Sequence, residues 1–116
     1  MLVEINTDNH VTFSDDLSRQ VEAEVAGALD RFGDQITRVI VQLNDTNAHK
    51  AGDHDKRCLM EARIAGHQPV AVSHEAATLE GAISAAAEKL ERSLDHILGK
   101  LGHKKGRTSF GGDQTL

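Results

Sequence analysis

A chain of 116 residues with 39% hydrophobic content has room for one domain with a modest core, and three Phe with neither Trp nor Tyr make that core aliphatic. The shortage of aromatics excludes a base-stacking platform for nucleic acid, and no apolar run approaches the ~20 residues of a membrane span. The net charge of −5 argues against a broadly basic nucleic-acid binder, but it is uneven: residues 1–56 carry five Lys or Arg against eleven Asp or Glu, residues 77–107 six against four.

Leu2 to Asn6 alternates, Val3 and Ile5 on one side, and reads as a short half-buried strand. Ser14 is placed to cap a helix whose first turn holds Asp15 and Asp16, where the helix dipole favours acids. Its apolar stripe, Leu17, Val21, Val25, Ala28 and Phe32, predicts a helix to Phe32 that Gly33 closes, with Glu22, Glu24 and Asp30 on the wet side. Ile36 to Asn44 is rich in β-branched residues, with Val39, Val41 and Leu43 sharing a side. Strand, helix, strand with short connections predicts that these two strands pair in parallel through a right-handed crossover.

Asp45 to Lys56 is polar throughout and reads as a long hairpin loop. Arg57 to Ala65 alternates again, Cys58, Met60, Ala62 and Ile64 pointing inward. After the tight connection Gly66-His67-Gln68, a fourth strand starts at Pro69, buries Val70 and Val72, and ends near Ser73. Thr78 can cap the last and longest element. Leu79, Ile83, Ala86, Leu90, Leu94, Ile97 and Leu101 recur at steps of three and four, the spacing of one helix face, until Gly99 and Gly102 weaken its end. From Gly106 onward no periodicity remains. The expected architecture is a two-layer α+β sandwich, β-α-β-β-β-α, with a four-stranded mixed sheet and both helices on one face, comparable to double-stranded-RNA-binding folds. Residues 1–105 form the domain and residues 106–116 a disordered tail.

Chemistry-bearing motifs are sparse. The chain lacks GxSxG, a Walker loop and a glycine fingerprint, and no catalytic carboxylate pair stands out, so it does not read as an enzyme. Cys58 is the only cysteine; it precludes an internal disulfide, fits a reducing compartment, and on the inner side of a strand is a small core hydrophobe. His49, Asp53, His54 and Asp55 share a loop, but neither closed zinc spacing nor HExxH is present, and the cluster reads as a solvated polar loop, with no metal and no cofactor. His10, His67 and His74 lie near predicted turns. The basic surface is elsewhere: Lys89, Arg92, His96, Lys100 and His103 step by three and four along the wet face of the long helix, with Lys104 and Lys105 beyond. Such a ridge can track phosphates, each contact releasing counterions, although Glu88, Glu91 and Asp95 lie near enough to neutralise part of it.

The element order together with LVEINTDNHVTFSDDL, DRFGDQITRVIVQL and VAVSHEAATLEGAISAAAEKLERSL resembles the ribosome hibernation-promoting factor family, also called ribosome-associated inhibitor, protein Y, sigma-54 modulation protein or S30EA. The resemblance spans about residues 1–105, and Lys89-Leu90 and Arg92 fall on the family's basic KLxRQL-like segment. It implies a small, short-form, cytoplasmic, non-enzymatic stress factor that binds ribosomal RNA of the small subunit and inhibits translation, here through Lys89, Arg92, Lys100, Lys104 and Lys105. Where the family carries lysines along the first helix this chain has Glu24 and Gly27, and Glu80 and Ser84 replace its tyrosine and aspartate at the start of the second. The alternative is a diverged protein-interaction module of the same fold that no longer binds ribosomes and whose acidic first helix meets a basic partner.

Overall fold

The structure, a computed structural model, describes residues 1–8, 11–45 and 56–103, the side chains of 100–103 excepted. The elements are β1 (Leu2–Thr7), α1 (Asp15–Leu29), a 3-10 segment (Asp30–Gln35), β2 (Ile36–Asp45), β3 (Lys56–Ile64), β4 (Val70–Ala76) and α2 (Leu79–His103). They form one sheet in the order β1-β2-β3-β4, with β1 parallel to β2 and the other two pairings antiparallel. The two-layer α+β reading is correct, including the parallel first pair.

Alternation in the strands sets which face the helices cover. Val39, Val41 and Leu43 of β2 and Cys58, Met60 and Ala62 of β3 are fully buried, in one cluster with Val21 and Val25 of α1 and Ile83, Leu90 and Leu94 of α2. Both helices therefore pack on the same side. Each fully buried aliphatic chain contributes about 1.5–3 kcal/mol of transfer free energy, so α2 is held mainly by this stripe. Arg38, Gln42, Arg63, Ala71 and Glu75 lie exposed on the other, open side of the sheet.

The helix ends follow local chemistry. Ser14 Oγ accepts from Leu17 N at 3.1 Å, and Thr78 Oγ1 accepts from Gly81 N at 3.0 Å, so both predicted caps are made. The first helix differs from its expected end: regular α-helix stops at Leu29, and the chain tightens into 3-10 turns before β2. Gly33, at φ 59° and ψ −135°, turns the chain there in a region other residues avoid. The tightening keeps Phe32 buried and also buries Leu29, which the sequence stripe omitted.

Two further boundaries move. β4 runs to Ala76 rather than Ser73, because Ser73, His74 and Glu75 continue the ladder opposite Leu59, Cys58 and Arg57. α2 continues through Gly99 to His103. The residues 46–55 and 104–116, and with them the His49–Asp55 cluster and the expected tail, lie outside the described residues, as does His10.

Candidate nucleic-acid interface

Helix geometry divides the wet surface of α2 into two flanks. At about 100° per residue, Lys89, Arg92 and His96 fall on one side of the buried stripe while Glu91 and Asp95 fall on the other. Contacts identify what each flank faces. Lys89 Nζ donates to the backbone carbonyl of Ser73 at 3.0 Å, so the basic flank borders β4. Arg31 Nε donates to Glu91 Oε2 at 3.2 Å, and its Nη2 lies 3.2 Å from Asp95 Oδ1, so the acidic flank borders the 3-10 segment.

This arrangement alters the expected electrostatics of the ridge. Glu91 and Asp95 are engaged by a cation from another element, and Arg31 is itself held by its guanidinium lying 4.5 Å from the centroid of the Phe32 ring. As partly exposed pairs they add at most about 1 kcal/mol to stability. Their larger effect is on charge placement, since they hold Glu91 and Asp95 on the flank away from Lys89 and Arg92, leaving Glu88 as the exposed acid beside the ridge among the described residues.

Of the five expected RNA-binding residues, Lys89 and Arg92 are exposed on the β4 flank. Lys100 belongs to α2, but its side chain, like Lys104 and Lys105 altogether, lies outside the described residues. The first helix keeps its acidic character: Asp15, Asp16 and Glu22 are exposed, as is Asp30 just beyond it, Glu24 is half-buried, and Arg19 pairs with Asp16. The structure thus sets an acidic surface on α1 and a basic one at the α2–β4 border.

That border is also a notch. A cavity of about 660 Å³ is lined by Arg57, Ser73, His74, Glu75 and Lys89, contributed by β3, β4 and α2. His74 was expected near a turn; instead it lies within β4, half-buried, paired in register with Cys58. Neither Arg57 nor His74 was picked out from the sequence, where they sit far from the helical ridge. The signal that finds them is the register of β3 against β4, which sets Arg57 opposite Glu75 on the open face and His74 opposite Cys58 on the helix-covered face.

Cys58 is fully buried, and burial pushes its thiol up to about 12, as expected of an inert core residue. His67 is exposed in the β3–β4 turn, its Nδ1 2.9 Å from the Gln68 carbonyl oxygen. Among the described residues no group of three or more His, Cys, Asp or Glu is placed to hold a metal ion, and no helix is long and apolar enough to cross a membrane.

Among solved structures the chain is similar to the N-terminal domain of Thermus thermophilus Protein Y, with a TM-score of 0.68 at 22% identity over 84% of this chain and 99% of that one. It is also similar to a ribosomal subunit interface protein from Coxiella burnetii, with a TM-score of 0.70 at 15% identity over 85% of this chain and 99% of that one. No curated protein sequence matches the chain significantly. The structural likenesses establish the fold. The family profile described as "Sigma 54 modulation protein / S30EA ribosomal protein" matches residues 3–102, and the chain belongs to that family.

Proposed function

We propose that this protein is a non-enzymatic, cytoplasmic, ribosome-associated translation inhibitor of the hibernation type, docking on small-subunit ribosomal RNA through the β4 flank of α2. The observation that carries the reading is the separation of charge on α2: Lys89 and Arg92 on one side, Glu91 and Asp95 bound to Arg31 on the other. A surface arranged this way can follow phosphates in spite of the net charge of −5, since affinity depends on local cations and the counterions they release. Family membership supports the ribosome as the partner. Lys100, near the end of α2, and Lys104 and Lys105, which follow α2 in the sequence, are included in the proposed contact.

Co-sedimentation with small subunits tests the reading. Pelleting at ~50 mM salt that falls steeply by ~200 mM is expected, and Lys89→Glu/Arg92→Glu should abolish it. No pelleting at the lower salt, or pelleting of the double variant at the wild-type level, contradicts it. The exposed acids of α1 favour a second reading, an interaction module for a basic protein. A pull-down that returns one basic protein and no ribosomal RNA would select that reading.

A further inference from the structure

The notch between β4 and α2 brings together three basic side chains that the chain order keeps apart. Arg57, second in β3, shares the open face of the sheet with its register partner Glu75, His74 shares the helix-covered face with Cys58, and Lys89 stands on the third turn of α2, yet all three border one cavity of about 660 Å³ at β4. That volume lies within the range of small-molecule clefts, ~300–1,000 Å³. The Lys89 ammonium is not free to sweep the surface. Its hydrogen bond to the Ser73 carbonyl holds it at the rim, so part of the entropy of positioning a cation is lost in folding and not in binding. Among the described residues Glu75 is the single carboxylate on the rim, opposite Arg57 in the strand register.

We propose that this notch is a binding site for one phosphate group of an RNA backbone, with Lys89, Arg57 and His74 as its donors. The proposal rests on the ribosome reading for the identity of the RNA, but the phosphate chemistry stands on the residues of the notch alone. Arg57 reaches the site from the open face with the planar fork that suits two phosphate oxygens, while Lys89 offers a point charge and His74 a ring N–H from the helix-covered side. Among the described residues these three donors face one carboxylate, Glu75.

The site also sets a direction of approach. RNA seated here runs along the β4 edge, on the side of α2 away from Arg31, Glu91 and Asp95, and so away from the acids of α1. The acidic first helix is then compatible with RNA binding because it is not part of the contact.

Titration of the full chain by two-dimensional NMR is the test, with inorganic phosphate in one arm and a short single-stranded oligoribonucleotide in the other. Saturable shifts confined to the amides of Ser73, His74 and Glu75 and to the His74 ring are expected in both arms, at lower concentration for the oligonucleotide. Arg57→Ala should remove them, whereas Arg63→Ala, an equal loss of charge on the same face of β3 but beside a different cavity, should leave them. Shifts spread evenly over surface cations, or no shift, overturn the proposal. Saturation by inorganic phosphate with no response to the oligonucleotide overturns the RNA assignment. On ribosomes, Arg57→Ala should reduce the slope of log affinity against log salt by about one. An unchanged slope overturns the site while leaving the ribosome reading in place, and a notch that titrates in a protein that never pellets does the reverse.

Discussion

Arg31 Nε donates to Glu91 Oε2 across 3.2 Å, joining the 3-10 segment to the middle of α2 through two residues sixty positions apart. The pair is partly exposed, with 51% and 35% of the two side chains accessible, so its effect on stability is small. Its effect on the neighbouring surface is larger. With Arg31 present, Glu91 and Asp95 face a cation; without it they remain as unpaired charge on the helix that carries Lys89 and Arg92.

Arg31→Ala should therefore lower stability by only about 0.5–1.5 kcal/mol, the combined loss of two exposed ion pairs and the contact with the Phe32 ring. Small-subunit affinity should nevertheless fall, although Arg31 lies on the flank away from the proposed contact. Urea denaturation and co-sedimentation on the same variant check the two halves. Unchanged affinity would show that Glu91 and Asp95 do not bear on the basic flank.

Leu90 and Leu94 are fully buried at the centre of the α2 stripe. Leu90→Ala should cost about 2–5 kcal/mol, from lost transfer energy and the cavity left behind. A large fraction of the stability of a domain this size would be lost. Denaturant midpoints, with the m-value monitored for a change in the transition, measure it.

Cys58 carries a defined pH signature. Burial raises its thiol from 9.0 to about 12, so above pH 9 the unfolded chain releases a proton that the native chain keeps. The contribution is fully present below pH 9 and is lost as the pH rises toward 12, at about 1.4 kcal/mol per pH unit from this group. Denaturation curves at pH 8, 9 and 10 on wild type and Cys58→Ala should differ in slope, the variant being flatter at the alkaline end. Alkylation of native protein at pH 8 should be slow and should follow the rate of opening.

Gly27 is exposed within α1, and a Cβ built there meets nothing within 4 Å. Gly27→Lys should stabilise the helix by about 0.5–1 kcal/mol from backbone propensity alone. It also adds a cation to an acidic surface, so an increase in ribosome affinity exceeding that of Gly27→Gln would bring α1 into the contact. Equal affinities for the two variants would confine the contact to α2 and β4. Thermal melts and co-sedimentation separate the effects.

How legible all this was in the sequence depends on how local the determining chemistry is. Strand alternation assigned Val39, Val41, Leu43, Cys58, Met60 and Ala62 to the core because period-two patterning is a property of consecutive residues. Ser14 and Thr78 were recognisable as caps for the same reason. The end of β4 was missed because Ser73, His74 and Glu75 have weak strand preference and are held by pairing with β3. The early end of α1 was missed because the 3-10 segment preserves the spacing that buries Phe32.

The candidate site shows the same division. Lys89 and Arg92 were visible as a helical ridge, since i and i+3 neighbours follow from sequence. The engagement of Glu91 and Asp95 by Arg31, and the meeting of Arg57 and His74 with Lys89, depend on how elements cross. No local pattern encodes that.

The hydrogen bond from Lys89 to Ser73 has one more consequence, concerning self-association. β4 is an outer strand of the sheet, and the bond holds a hydrated ammonium against its midpoint. Another extended chain adding alongside would have to displace that ammonium, so Lys89 guards the border against aggregation whether or not RNA is present. The cation proposed to recruit one polymer is thereby placed to turn another away.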